Sequence, residues 1–416
     1  MPVKIRILSS ANRHMQRAGF LKLLATQVTR VETSNLSTLG GQLVETVTRR
    51  VRMVPPFSDA LRDYVKSRLS DGVYAELRKT VLSGTAPVGI EMQDLYLSDP
   101  RLPSTTGKLA ENSRRFYPYL GTALDLIKTG TWSAMTRALL LVHLTPKEEQ
   151  AAWETYTRDR NPFAITREQA AVILYCFVDN DAEVLFPLYS KILELPGSSF
   201  DERLAGDLIP AIFRSAVAIF NKSSLVVEDR ERLAQLEKTA DNIERARGKP
   251  YTGGGSREEN IRVRIEPFCD LGLFHKPDRH RFTYQITPAF RRLMENWRGV
   301  ETDFFLENRF FATLAAMHEL AVKEATEEEA RTALGEAGIQ LGGTLGYSPI
   351  KDCALLAGIR LLFNRQLVLE LDTSRGFLRA WQKDAPEIVR FTVDRMGELA
   401  YVKFLKAVVP VMPTKI

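Results

Sequence analysis

Cysteine is scarce in this sequence of 416 residues, and Cys176, Cys269 and Cys353 lie far apart in the chain. Three isolated cysteines exclude a disulfide framework and the paired CxxC spacing of zinc ribbons. Because this usage is typical of a reducing compartment, we expect a cytoplasmic protein. The sequence also lacks a run of 18 or more apolar residues, and its charged opening, MPVKIRILSS, lacks a signal peptide's apolar core. We therefore expect no membrane partner.

The motifs of several large enzyme classes are also missing. The sequence contains no P-loop G-x-x-x-x-G-K-[ST], no G-x-S-x-G nucleophile elbow and no H-E-x-x-H zinc motif. The acidic group Asp179, Asp181 and Glu183 could suggest a cation site, but Asp181 stands between two apolar stretches, where it is suited to cap a helix. The group also lacks the glycine and the distal glutamate of a calcium loop. We therefore expect no catalytic residue, metal ion or cofactor, and we favour a role that is not enzymatic.

The composition is that of a folded protein of several domains, with 44% hydrophobic and 26% charged residues. The net charge is +6, and it is concentrated in residues 1–52, which contain two acidic residues, Glu32 and Glu45. The basic residues of this segment are Lys4, Arg6, Arg13, Arg17, Lys22, Arg30, Arg49, Arg50 and Arg52. A basic segment beside a nearly neutral body is typical of contact with a phosphate backbone, or with an acidic partner.

The order of apolar, capping and breaking residues predicts a mainly α fold with small β-hairpins, an α+β arrangement. We divide the chain into five segments. A basic, mixed α/β region is followed by a helical domain, a connecting helix with a Gly-rich linker, a short module and a C-terminal region with a second module of the same kind. Their bounds are 1–110, 111–222, 223–256, 257–300 and 301–416.

The segment 257–297 combines a helix with a charged hairpin. The pattern predicts a helix from about Glu258 to Asp270, which Pro267 kinks or ends early. A short strand then precedes a polar turn, a second strand alternates Phe282, Tyr284 and Ile286, and Thr287-Pro288 begins another helix.

Helix, hairpin and helix in this order resemble the second half of a winged-helix DNA-binding domain. The resemblance covers roughly 40–50 residues, about a tenth of the chain. In that family the helix before the hairpin enters the major groove, and the hairpin, called the wing, lies over the backbone or the minor groove. By position the resemblance assigns base or phosphate contacts to the helix residues Arg257, Asn260, Arg262 and Arg264. It assigns wing contacts to Lys276, Arg279 and Arg281, together with His275 and His280.

A second module of this kind is expected near the C-terminus. Ser348-Pro349 begins a helix to about Phe363, Leu367–Leu371 reads as a strand, and Thr373 caps a further helix. Val389–Val393 then pairs with 400–404 across a Met396-Gly397 turn. Its hairpin carries the basic residues Arg390, Arg395 and Lys403.

These observations favour a non-catalytic DNA-binding protein, either a transcription regulator or the recognition subunit of a DNA-processing or anti-phage defence assembly. Further phosphate contacts are expected from Arg13, Arg17, Arg49, Arg50 and Arg52. We expect alanine at Arg262 and Arg264 to weaken DNA binding and to leave folding intact. The alternative is a scaffold subunit whose modules bind other proteins, and a protein partner or a homo-oligomer fits either hypothesis.

Overall fold

The structure is a computed structural model. It describes residues 5–8, 18–19, 21–22, 24–25, 42, 118–126, 134–142, 165–220, 225–245, 256–276, 283–342, 346–393 and 399–405. In chain order, its helices are α1 (Ala134–Leu141), α2 (Arg167–Glu194), α3 (Glu202–Ile219), α4 (Val227–Arg245), α5 (Ser256–Asp270), α6 (Pro288–Trp297), α7 (Thr302–Asn308), α8 (Phe310–Met317), α9 (Glu327–Leu341), α10 (Ile350–Arg365) and α11 (Leu371–Asp384). Its strands are β1 (Ser199–Asp201), β2 (Phe274–His275), β3 (Thr283–Ile286), β4 (Lys323–Glu324), β5 (Tyr347–Pro349), β6 (Leu367–Val368), β7 (Val389–Val393) and β8 (Leu399–Phe404).

The chain forms two compact units, each assembled from separated stretches. The first unit comprises Met1–Thr131, Leu144–Ile165 and Cys176–Thr287. The second unit comprises Trp132–His143, Thr166–Tyr175 and Pro288–Ile416. The division therefore falls within α2. The five contiguous segments proposed from the sequence stay a prediction.

The first unit contains a three-stranded antiparallel sheet with the order β1-β3-β2. Phe200 pairs with Tyr284 and Phe274 with Ile286, so the hairpin strand β3 is central. Phe274 lies edge-on to both Tyr189 and Phe200, with ring centroids 5.5 and 5.6 Å away. Aromatic burial of this kind joins the short sheet to the helices. The strands β1, β2 and β3 and the helix α5 are called the first hairpin module below.

The second unit has the same strand order in the sheet β5-β8-β7, whose hairpin strands are longer. Its buried residues Ser348, Val389 and Val402 face the helices α9, α10 and α11. Gly338 of α9 allows this contact to be close, because a Cβ at that position would come within 2.3 Å of the Phe404 ring. The strands β5, β7 and β8 and the helix α11 are called the second hairpin module. A separate parallel pair, β4 with β6, completes the described sheets of this unit.

The predicted fold class is confirmed, since the described residues are mainly helical with small antiparallel sheets. The Thr166–Gln169 capping box is present, with reciprocal hydrogen bonds of 3.2 Å. Both hairpins also pair as expected, β2 with β3 and β7 with β8. Among the described helices, none is long and apolar enough to cross a membrane.

Several boundaries differ from the prediction. Pro267 lies within α5, which continues to Asp270. The sequence pattern also missed β1 and β5, which are three residues long and occur as the outer partners of β3 and β8. Strands of this length have too little alternation to be recognised from sequence.

Candidate nucleic-acid interface

The helix assigned to DNA by the winged-helix resemblance lies inside the first unit. Every residue of α5 from Asn260 to Phe268 is buried. Helices α3 and α4 pack against α5, and Phe177 of α2 contacts Phe268 with ring centroids 4.9 Å apart. Between Asn260 and Phe268, α5 therefore has no exposed face with which to enter a groove of DNA.

Arg264 forms a fully buried ion pair with Asp181, and both side chains are 0% exposed. Its Nε lies 2.6 Å from Asp181 Oδ2 and its Nη2 lies 3.0 Å from Oδ1, which is the two-point geometry that a guanidinium and a carboxylate prefer. Burial raises the pKa of Asp181, and the charge and hydrogen bonds of Arg264 oppose that rise. At Asp181 the backbone leaves the helical region, with φ −137° and ψ 17°, so a kink divides α2 where the sequence placed the start of a helix. The carboxylate bonds Leu8 and Arg264 there, in place of the cap that the sequence suggested.

The same ion pair holds the N-terminal residues Ile5–Leu8. The Leu8 amide donates to Asp181 Oδ1 at 2.8 Å, and Arg264 Nη2 donates to the Leu8 carbonyl at 3.1 Å. Arg232 donates to the carbonyl of Ile7. Because Ile7 and Leu8 are also buried, this part of the basic segment belongs to the core of the first unit. Deleting residues 1–52 would therefore disturb folding as well as charge.

The other described residues of the predicted site also take internal roles. Arg262 is 6% exposed and pairs with Glu202 at 3.0 Å. Lys276 is 5% exposed and pairs with Glu266, whose Oε1 also accepts a 2.7 Å hydrogen bond from the hydroxyl of Tyr284. Asn260 is buried as well. The expectation that alanine at Arg262 and Arg264 leaves folding intact does not fit these buried ion pairs, because each change would leave a buried carboxylate without its cation.

The side chain of Arg257 and the residues Arg279, Arg281, Arg13, Arg17, Arg49, Arg50 and Arg52 lie outside the described residues, as do His280 and Arg395. His275 is described and exposed on β2. Within the described part of the chain, no three His, Cys, Asp or Glu side chains are arranged to hold a metal ion.

The second hairpin module presents the corresponding helix, α11, differently. Its buried face consists of Leu371, Ser374, Leu378 and Trp381, and Trp381 contacts Phe404 of the sheet with ring centroids 5.3 Å apart. Spacings of three and four residues place these side chains on one side of the helix. The opposite side of α11 therefore remains exposed.

That exposed side carries a stripe of four residues, Asp372, Gly376, Arg379 and Lys383, which is called the α11 stripe. Steps of four, three and four residues keep all four positions within one narrow sector of the helix. Neither Arg379 nor Lys383 has an ion-pair partner among the described residues. Gly376 has no atom within 4 Å of the position that a Cβ would occupy, so the backbone is open to close approach there.

The neighbouring charges of α11 are already neutralised. Arg375 pairs with Glu307 at 2.6 Å, and Asp384 pairs with Arg331 at 2.6 Å. These two pairs leave Arg379 and Lys383 as the free cations of the described helix, with Asp372 at its opposite end. The exposed charge of α11 is therefore acidic at its first turn and basic at its last two turns.

The N-terminus of α11 is fixed by a half-buried carboxylate. Glu370 is the N-cap residue of α11, and its side chain accepts hydrogen bonds from the amides of Phe311 and Ala312 at 3.1 and 2.8 Å. Burial raises the pKa of Glu370 to about 7, against the lowering effect of these amides. Glu370 thus connects the beginning of α8 to the helix that carries the stripe.

The α11 stripe was not predicted from the sequence, because the local excess of basic residues pointed to another segment. Residues 257–292 contain more basic than acidic residues, whereas the charges of α11 nearly balance in sequence. A usable signal was the spacing of Gly376, Arg379 and Lys383 opposite the apolar positions 371, 378 and 381. Whether a cation is paired internally depends on distant partners and is not visible in the local sequence.

Comparison with protein-family models, with curated proteins and with solved structures finds no match to this chain. The evidence for the candidate interface is therefore the arrangement of its own residues.

Proposed function

We propose that this protein is a non-catalytic DNA-binding protein that contacts duplex DNA through the second hairpin module. The observation that carries the proposal is the α11 stripe, in which Arg379 and Lys383 are exposed, unpaired among the described residues and one turn apart on the helix that precedes a hairpin. A helix with basic residues on its outer face fits the major groove, where arginine and lysine contact phosphates and guanine edges.

The strand order supports a winged-helix interpretation of this module. A short first strand, β5, pairs with the outgoing hairpin strand β8, and two helices lie between β5 and the hairpin. In the winged-helix arrangement the second of these helices enters the groove and the hairpin lies beside it. By this correspondence α11 is the groove helix, and the β7–β8 hairpin is the wing.

The first hairpin module supports a different role. It has the same order, β1-β3-β2, but α5 is buried from Asn260 to Phe268, and Arg262 and Arg264 are paired internally. This burial favours the scaffold alternative for the first unit, as a structural or protein-binding element. A regulator or the recognition subunit of a DNA-processing or defence assembly would combine one such unit with one DNA-binding module.

The test is binding of the purified protein to a mixed-sequence duplex, measured by fluorescence anisotropy over a series of salt concentrations. The wild-type affinity should fall steeply with salt, because phosphate contacts release counterions. The double variant R379A/K383A should weaken binding roughly tenfold and reduce the log–log salt slope by about 2, one unit for each contact.

The matched control is R291A/R298A, which removes two exposed arginines from the same unit. It changes the net charge equally and should leave the affinity within about a factor of two, because it removes no direct contact. Equal losses in both double variants would reject the α11 stripe as the interface. Absence of salt-sensitive binding by the wild type would reject the DNA proposal and favour the scaffold.

A further inference from the structure

The second hairpin module has another exposed surface, on the side of its sheet that faces away from the helices. Alternation along β5, β7 and β8 places Ser348, Val389, Val402 and Phe404 inward, where they are buried. The residues between them face outward and are called the outer sheet face. They are Tyr347, Pro349, Arg390, Thr392, Tyr401 and Lys403.

The outer sheet face is organised as two cross-strand rows. In one row Tyr401 of β8 pairs with Thr392 of β7 and Pro349 of β5. In the other row Lys403 pairs with Arg390 and Tyr347. Since two residues of a strand span about 7 Å, both cations lie one row away from the Tyr401 ring.

Tyr401 is the open aromatic ring of this face. It is 46% exposed and makes no ring contact with another described residue. The other tyrosine, Tyr347, is half-buried, and Lys403 Nζ lies 5.2 Å from its ring centroid. A large aromatic ring left open on a sheet loses the burial that would otherwise stabilise it, so it is suited to stacking on a flat partner.

The charge of the outer sheet face is of one sign. Arg390 is exposed and Lys403 is half-buried, and neither has an ion-pair partner among the described residues. None of the residues in β5, β7 and β8 is acidic. An open ring beside two cations, with no carboxylate in the strands, complements an unpaired base attached to a phosphate backbone.

We infer that the outer sheet face binds single-stranded DNA, with a base stacked on Tyr401 and phosphates contacted by Arg390 and Lys403. This site is separate from the α11 stripe, because α11 packs with Trp381 on the inner face of the same sheet. The inference therefore extends the proposed duplex binding to a second form of DNA on a second surface. A duplex cannot supply the contact with Tyr401, since its bases are already stacked and paired.

The experiment compares two labelled strands of about 12 nucleotides, within the site sizes of single-strand binding modules. One is oligodeoxythymidine, and the other has the same phosphate charge but abasic sugars. The wild type should bind oligodeoxythymidine about fivefold or more tightly than the abasic strand, as expected for one stacked base. Equal affinity for the two strands would overturn the inference without any variant.

The variants Y401L and Y401F assign this preference to one side chain. Y401L removes the π face and should abolish the preference for bases, while Y401F retains the ring and should keep it. Abasic-strand binding and duplex binding should change little in either variant. If Y401L keeps the wild-type preference, Tyr401 is not the stacking residue and the inference fails.

The double variant R390A/K403A should weaken both strands, since it removes phosphate contacts. Unchanged binding of both strands would remove these cations from the inferred site. Duplex binding by R379A/K383A is measured separately, so failure of the α11 proposal and failure of this inference give different results. Strand binding that none of the sheet variants alters would place the strand on another surface, which also overturns the inference.

Discussion

In the first hairpin module, the helix before the hairpin, α5, is buried from Asn260 to Phe268. The corresponding helix of the second module, α11, has one buried side and one exposed side. Both modules have the same strand order, with the first strand paired to the outgoing hairpin strand. Arg262 and Arg264 of α5 pair with buried carboxylates, while Arg379 and Lys383 of α11 face solvent. The comparison teaches that basic residues on such a helix indicate binding only where tertiary packing leaves them unpaired.

The number of basic residues does not distinguish the two helices. α5 carries three arginines and α11 carries two arginines and a lysine, so their composition is nearly the same. The difference arises from Asp181 and Glu202, which lie 83 and 60 residues before their partners. Buried charges require such partners because desolvation of an unpaired charge is costly.

The largest expected effect is on the free energy of unfolding, where substitutions in the two modules should differ. Arg264→Ala leaves the buried carboxylate of Asp181 without its cation and should lower the free energy of unfolding by about 3–5 kcal/mol. The exposed Arg379→Ala should change it by less than about 0.5 kcal/mol. Urea denaturation of both variants measures the difference.

The double variant D181L/R264M is the control for the buried pair. Replacing both charges with apolar side chains should recover much of the stability that R264A loses, because no charge is then left unpaired. Equal stability of R264A and the wild type would show that the Arg264–Asp181 pair does not form in solution.

A smaller effect concerns the pH dependence of the second unit. The pKa of Glu370 in the folded protein is about 7, above its ordinary value of 4.5, so the folded state holds this proton more tightly than the unfolded chain. The stability that the protonated form contributes is present below about pH 4.5 and is lost as the pH rises to about 7.

The Glu370→Gln variant cannot titrate at this position. Between about pH 4.5 and 7 the wild type should therefore lose stability relative to E370Q, by on the order of 3 kcal/mol. Thermal unfolding of both proteins across this range measures the difference. A gap that stays constant with pH would contradict the raised pKa, and a Glu295→Gln variant controls for an exposed carboxyl of the same unit.

The smallest effect separates the fold of α11 from its proposed contact. Gly376→Ala should stabilise the protein by about 0.5–1 kcal/mol, because glycine is unfavourable inside a helix and a Cβ meets no neighbour there. If the backbone at Gly376 approaches DNA, the same variant should weaken duplex binding. Calorimetric melting measures the stability of G376A, and anisotropy on the same preparation measures its duplex affinity. Ala380→Gly makes the opposite substitution on the same helix and serves as the control. Unchanged duplex affinity for G376A would place the contact elsewhere on α11.

Local sequence was sufficient for much of the fold. The Thr166–Gln169 box, the beginning of α6 at Pro288 and the pairing of β7 with β8 all follow from capping residues, proline and alternation. These features depend on neighbours within a few residues, which is why they can be predicted from one sequence.

The candidate interface could not be predicted in the same way. The sequence determined that Arg264 and Arg379 are cations on helices that precede hairpins. The tertiary structure decided that Arg264 meets Asp181 and the Leu8 carbonyl in the core, whereas Arg379 remains in solvent. The physical reason is that a charge pairs with whatever group the fold brings within a few ångströms, and these partners are far apart in the chain.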